Sequence, residues 1–426
     1  MTHPYIPNAE PGVRAEMLAA IGASSVEEFY ADIPASLRLQ RPLDLPAPFV
    51  AEYELKRHMK GLFDRNVDGL SFLGHGTYPH YVPAVCDEVN QRSEFLTAYA
   101  GEPYEDHGRF QALFEYVSMM GELLEMDVVN VPTYDGFQAS GTAIRMAARY
   151  TKRAKVLIAS PISADKLSKL ADFLTPDVEI VHGTEIDDTF AAIYLETPDV
   201  HGVVATNGRE LAEAAHAHGA LLVVSTDPIS LGVLAPPASY GADIVCGDIQ
   251  SLGMHQAYGG GHAGFIATQD HEPLVAEFPS RLFGIAPTAV DGEYGFGDVF
   301  YDRTSFALRE EGKEWVGTAA ALWGITAGVY LALMGPEGMR EVGETILART
   351  RYAMDALGDL VQDAEAIHFR EFAISVRDSH GLLATLREQG IFGGVPLDDR
   401  TVLVCVTERH TIAEIDRLAA AVKEAL

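Results

Sequence analysis

From Val128 to Val224 short apolar runs alternate with amphipathic stretches, and this alternation restricts the chain to few folds. Strands are predicted over a short run from Val128, then at Lys155–Ala159, Val178–Val181, Gly202–Ala205 and Leu221–Val224. Between them, helices are predicted at Ser140–Arg149, Ser163–Phe173, Asp187–Tyr194 and Glu210–His218. Strands regularly separated by helices predict an α/β protein with a mostly parallel, doubly wound sheet covered on both faces.

The rest of the chain arranges itself around this block. Residues 1–70 read as a helical arm, with helices at Glu10–Ile21, Ser25–Phe29 and Ala51–Asn66. Ser24 and Ser25 followed by Glu27 and Glu28 form a helix-start signal. Residues 71–310 form the large domain. Residues 311–426 hold a long helix and a small α/β domain, with strands at Ile367–Val376 and Thr401–Val406 and helices at Ser379–Gln389 and Thr411–Leu426. Val316–Met334 is a charge-free run of 19 residues. Its Ala, Gly and Thr content, in an acidic chain, favours a buried or interface helix over a membrane span. Gly335-Pro336 ends it and starts a second helix at Met339.

Asp243–Thr268 carries the chemical signal. A strand (Ile244–Cys246) runs through the polar turn Gly247-Asp-Ile-Gln-Ser251 and a glycine cluster at 259–261 into a second strand, Phe265–Thr268. In a large class of pyridoxal-phosphate (PLP) enzymes, such a strand–turn–strand presents the lysine that holds the cofactor as a Schiff base. Here the turn offers Gln250 and Ser251, and no lysine occurs between Lys169 and Lys313. Upstream, Leu221–Pro228 is a strand ending in Asp227. Ligands of open α/β sheets bind off the carboxyl ends of strands, where an Asp can face a pyridine nitrogen or merely cap a turn. Ser140-Gly-Thr142 reads as a helix start that could cradle a phosphate. Two polar loops flank this block, at 71–83 with His75, Tyr78 and His80, and at 93–109 with Tyr99, Tyr104, Glu105 and His107. The histidines lack further ligands at suitable spacing, so no metal site is expected.

A net charge of −30 argues against nucleic acid and anionic membrane as partners. Cys86, Cys246 and Cys405 are far apart in apolar settings, which fits reduced thiols in a cytoplasmic protein. The N-terminus has neither a basic nor an apolar leader segment, so secretion is not expected.

Nine motif groups, in order along nearly the whole chain, carry a family resemblance. They are Phe72-Leu-Gly with Tyr78-x-His80-Tyr-Val-Pro-Ala, Ser93-Glu-Phe with Thr97-Ala-Tyr99, Gln111-Ala-Leu-Phe-Glu, and Met126-Asp-Val with Tyr134-Asp-Gly136. Asp227-Pro-Ile-Ser-Leu-Gly, Gly241-Ala-Asp-Ile-Val with Gly247-Asp-x-Gln250-Ser-Leu-Gly253, and Arg281-Leu-x-Gly284 follow. Gly335-Pro-Glu-Gly with Arg340-Glu-Val, and Val406-Thr-Glu with Thr411-x-Ala-Glu-Ile-Asp, complete them. Together they resemble the α subunit of two-subunit glycine decarboxylase, the P-protein of the glycine cleavage system.

The resemblance implies an aspartate-aminotransferase-like type I PLP fold. It implies a homologous β subunit, in an α2β2 assembly, that carries the lysine and the covalent PLP. The α chain would hold no covalent cofactor, with Ser251 and Gln250 at the positions of the β chain's lysine and preceding histidine and Asp227 as a vestige of the cofactor site. The implied reaction decarboxylates glycine and passes the aminomethyl group to lipoyl H-protein. The α chain would line the β subunit's active site with Tyr78, His80, Tyr99, Tyr104 and Glu105, Tyr99 foremost.

Two segments depart from the family pattern. After Thr97-Ala-Tyr99 the chain reads Ala100-Gly-Glu-Pro-Tyr-Glu105, and near residue 310 it reads Arg309-Glu-Glu-Gly-Lys-Glu-Trp315. These leave open a related decarboxylase complex acting on another amino acid or acceptor, or a structural or regulatory subunit. Lys313, between acidic neighbours, is expected to be a salt-bridging surface lysine.

Overall fold

The computed structural model describes residues 5–95, 107–279, 281–313 and 320–426, without the side chains of His107, Ser305 and Phe306. Contacts divide the chain into two compact units, Met1–Val67 and Asp68–Leu426. The first holds α1 (Pro11–Ala20), a 3-10 turn at Val26–Tyr30 and α2 (Glu52–Phe63). Ser25 and Glu28 cap the 3-10 turn reciprocally. No described residue of this unit is buried.

The second unit begins with β1 (Leu70–Ser71), α3 (Ala84–Asn90), α4 (His107–Leu124), β2 (Val128–Val129) and α5 (Gly136–Thr151). Then come β3 (Lys155–Ile158), α6 (Ala164–Leu174), β4 (Glu179–His182), β5 (Ala192–Thr197), α7 (Gly208–Ala217), β6 (Leu221–Thr226), β7 (Ile244–Asp248) and β8 (Gly264–Thr268). The large sheet has the order β2-β8-β7-β6-β5-β3-β4. β4, β3, β5, β6 and β7 pair parallel, and β8 runs antiparallel to β7 and β2. Every residue of β5 is buried, as the centre of a sheet covered on both faces requires.

Three expectations need correction here. The predicted helix at Asp187–Tyr194 is not formed. Its apolar end belongs to the continuous run of β5, and burial on both faces favours an extended strand there. The predicted strand at Gly202–Ala205 is reduced to one isolated bridge, Val203 to His368. α5 starts at Gly136, four residues before the predicted start, because Asp135 caps it by accepting from the Gln138 N–H at 2.7 Å. Ser140, Gly141 and Thr142 therefore lie inside the helix, buried, and cradle no anion.

After the short α8 (Glu272–Val275), an unanticipated antiparallel hairpin forms from β9 (Leu282–Pro287) and β10 (Tyr294–Val299). α9 (Ser305–Leu308) and α10 (Ala321–Leu357) follow. Gly335, at φ 59° and ψ −178°, together with Pro336, breaks α10 into two helices at the sequence-predicted position. Among the described residues no helix is long and apolar enough to cross a membrane.

The chain ends with β11 (Glu371–Ser375), α11 (Ser379–Glu388), β12 (Ile391–Phe392), β13 (Val395–Asp398), β14 (Thr401–Cys405) and α12 (Ile412–Ala425). β11, β14 and β13 make a three-stranded antiparallel sheet, and β12 pairs with β1. Tyr330, Leu331, Met339 and Ile346 of α10 join the core under the large sheet. Ala353, Met354 and Leu357 of the same helix join the core under the small one.

Candidate active-site cleft

β5, β6 and β7 deliver Glu196, Asp227 and Asp248 to one edge of the large sheet. The start of α5, the 71–83 loop and the segment Phe369–Glu371 enclose the same space, a cavity of about 470 Å³. This is where an open α/β sheet binds ligands, off the carboxyl ends of its strands.

At one end Asp227 uses Oδ1 for hydrogen bonds, while Oδ2 is buried and accepts none. Its Oδ1 accepts from Ser251 Oγ at 3.2 Å and from the Ile229 N–H at 3.3 Å. Its Oδ2 lies 3.0 Å from Arg370 Nη2. Arg370 is 3% exposed, and its guanidinium carbon sits 3.2 Å from the Tyr78 ring centroid. Burial disfavours that charge, but Asp227 and the Tyr78 hydroxyl outweigh burial and hold the guanidinium protonated.

Arg370 Nη1 also reaches His80 Nε2 at 2.8 Å. A guanidinium can only donate, so Nε2 accepts and Nδ1 carries the proton toward Glu408 Oε2, 2.7 Å away. Burial pushes the Glu408 carboxyl up, but the contacts from His80 and the Tyr81 N–H prevail and lower it to about 2. Tyr78 donates to Glu371 Oε2 at 2.9 Å, and burial raises the titration points of both groups.

Position 251 lies in the floor. Ser251 and Gln250 are 3% and 2% exposed. The Gln250 amide is zipped to the loop above, accepting from the Tyr78 N–H at 2.9 Å and donating to the carbonyls of Tyr78 and Met254.

At the other end the α5 start meets a carboxylate of the chain itself. The Gly136 N–H donates to Asp248 Oδ2 at 2.8 Å, and His262 Nδ1 lies 3.1 Å from the same oxygen. Hydrogen bonding to Asp248 raises the His262 titration point. His262 Nε2 pairs with Thr77 Oγ1 at 2.9 Å, tying this end to the 71–83 loop.

Two lysines line the cleft, Lys166 and Lys169, and Lys169 is paired with Asp165 at 2.7 Å. Lys166, from α6, forms an ion pair with Glu196, which also accepts from the Tyr194 hydroxyl at 2.9 Å. Burial disfavours its charge, but Glu196 and Tyr194 outweigh this and keep Lys166 protonated, so it is no nucleophile.

Tyr78, Asp227, Gln250 and Ser251 thus line one cleft, and His80 stands behind it, bonded to Arg370. Tyr99, Tyr104 and Glu105 lie outside the described residues. Lys313 forms an ion pair with Glu277 at 3.4 Å. The sequence reading missed Arg370, Glu371, Asp248, His262 and Glu408. For Arg370-Glu371 a signal existed, since two adjacent charges sit inside a predicted apolar strand.

Residues 3–422 match the profile of the glycine cleavage system P-protein family. The chain belongs to the glycine cleavage system P-protein family. Similar proteins include the probable glycine dehydrogenase (decarboxylating) subunit 1 of Carboxydothermus hydrogenoformans, 36% identical over 97% of this chain and 98% of that one. The protein of the same name from Sulfurisphaera tokodaii is 34% identical over 99% of this chain and 98% of that one.

The crystal structure of a P-protein glycine decarboxylase in inhibitor-bound form superposes with a TM-score of 0.87, at 32% identity over the full length of both chains. A serine palmitoyltransferase crystallised with a PLP–myriocin aldimine shares the fold, with a TM-score of 0.58 and 14% identity over 88% of this chain and 96% of that one. The fold is that of type I PLP-dependent enzymes, and the P-protein relatives bearing the subunit 1 name are components of an enzyme complex.

Proposed function

We propose that this P-protein is the non-PLP-bearing α subunit of a glycine decarboxylase, paired in an α2β2 assembly with a homologous lysine-bearing subunit. The observation that carries the reading is the cleft floor. Ser251, a residue that cannot form a Schiff base, stands where the strand–turn–strand would present a lysine, and its hydroxyl is bonded to Asp227. The relatives' subunit 1 name supports a partner.

PLP does not fit this chain's own cleft, because the Asp227 charge is already paired with Arg370, its Oδ1 is bonded to Ser251, and the first N–H of α5 is taken by Asp248. The chemistry therefore belongs to the partner's site: decarboxylation of glycine and transfer of the aminomethyl group to lipoyl H-protein. This chain supplies walls and hydrogen-bonding groups there, from the loops at 71–83 and 97–109. In the first loop Tyr78 and His80 are spent on holding its shape, through Glu371 and Glu408.

The isolated chain should show no Schiff-base absorbance and no borohydride-fixed cofactor. It should support exchange of bicarbonate with the glycine carboxyl group only when mixed with its partner. A yellow, borohydride-reducible chain on its own overturns the assignment.

A further inference from the structure

We propose that this cleft is locked against PLP by an internal ion pair, Arg370–Asp227, and by the Asp248 carboxylate on the α5 start, so that a lysine placed at position 251 would not by itself restore cofactor binding. The inference rests on the reading of the chain as the non-PLP-bearing subunit and extends it. Loss of the lysine is one defect; the lock is a second, independent one.

Space does not exclude the cofactor. A cavity of about 470 Å³ lies within the usual range for small-molecule sites. What is missing is free anchoring groups. A pyridinium nitrogen needs an open carboxylate oxygen. Asp227 offers a carboxylate already neutralised: Ser251 and the Ile229 N–H donate to Oδ1, and Oδ2, though it accepts no hydrogen bond, is ion-paired with Arg370 at 3.0 Å. Arg370 is itself clamped by the Tyr78 ring and by His80. To admit a ring, this pair would have to open and leave two charges apart in a buried setting.

A phosphate needs the free N–H groups of a helix start. The Gly136 N–H already donates to Asp248 Oδ2 at 2.8 Å. The two backbones are so close that a Cβ built on Gly136 would lie 2.8 Å from Asp248 Cβ. A dianion arriving there would meet a carboxylate before it met a donor. His262 offsets part of that charge, but it is bonded to Asp248 and Thr77 and points along the lock.

The experiment uses the full chain, with folding of each variant checked by circular dichroism and thermal midpoint. PLP is added, borohydride fixes any aldimine, and peptide mapping reads the pyridoxyl label at position 251. Ser251→Lys alone should give no saturable labelling there. Adding Asp248→Ala and Arg370→Met should raise labelling at that position at least tenfold. Full labelling of the Ser251→Lys single variant overturns the lock while leaving the subunit reading intact. Stoichiometric labelling of the wild-type chain overturns the subunit reading itself.

Should the triple variant fail to fold, Asp248→Ala alone decides. Inorganic phosphate should raise its thermal midpoint and leave the wild type unchanged. Equal stabilisation of both, or of neither, removes Asp248 as the lock.

Discussion

Arg370 and Asp227 face each other across the cleft, Nη2 to Oδ2 at 3.0 Å, and tie the first residues of the C-terminal sheet to the carboxyl end of β6. Their side chains are only 3% and 12% exposed. Such a pair is costly to break from one side, because the remaining charge stays buried without its partner. Arg370→Met should lower unfolding free energy by about 3–5 kcal/mol. Adding Asp227→Leu should recover more than half of that loss. Urea unfolding midpoints of the single and double variants check it, and additive losses would show that the pair is not coupled.

The Glu408 carboxyl titrates at about 2 in the folded chain against an ordinary 4.5. A depressed carboxylate stabilises the fold above its ordinary value and loses that contribution as pH falls through the folded one. The difference corresponds to roughly 3 kcal/mol. Between pH 4.5 and about 2, the wild type should therefore lose stability more steeply than Glu408→Gln. Denaturant titrations at several acidic pH values give the two slopes.

His262 works in the opposite direction. Its titration point is raised above the ordinary 6.5, so the stability it contributes is complete below that value and is lost as pH rises through the higher folded one. His262→Gln should flatten the stability profile on the alkaline side of 6.5 and leave the acidic side unchanged. Thermal midpoints measured across neutral pH test this.

Gly247 lies in β7, where a Cβ would stand 2.1 Å from the Thr226 carbonyl oxygen and 2.7 Å from the Phe265 ring. Gly247→Ala should force β7 away from β6 and cost roughly 1–3 kcal/mol or more. A tolerated alanine, with an unchanged unfolding midpoint, would contradict the close approach of these strands.

Tyr99 tests the contribution to the partner's chemistry. In the αβ complex, Tyr99→Phe should lower kcat on the order of tenfold or more if its hydroxyl supports the reacting groups. Complex formation, followed by size-exclusion chromatography, should be unchanged. An unaltered kcat would mark the chain as a scaffold.

The alternation of strand and helix was legible because period and length distinguish the two, and the chain obeys that rule through most of the large sheet. It failed at Asp187–Tyr194, where the apolar run of β5 is too short for pattern alone to separate a buried strand from a helix. The cleft was half legible. Asp227, Gln250 and Ser251 lie at turn and strand-end positions that a motif can mark. Arg370 and His262 reach the cleft, and Glu408 reaches His80 behind it, from positions 143, 35 and 181 residues along the chain from Asp227, and only the tertiary fold brings them there. The start of α5 was misplaced because Asp135 is both the end of a turn and a helix cap, and its role depends on which backbone N–H it meets.

Beyond the break at Gly335-Pro336, the second half of α10 carries side chains of two cores, Met339 and Ile346 under the large sheet and Ala353, Met354 and Leu357 under the small one. Neither core can melt without stripping its partner of helical residues. Residues 68–426 should therefore unfold in one cooperative transition, with calorimetric and van't Hoff enthalpies in agreement, although two sheets of different topology are involved.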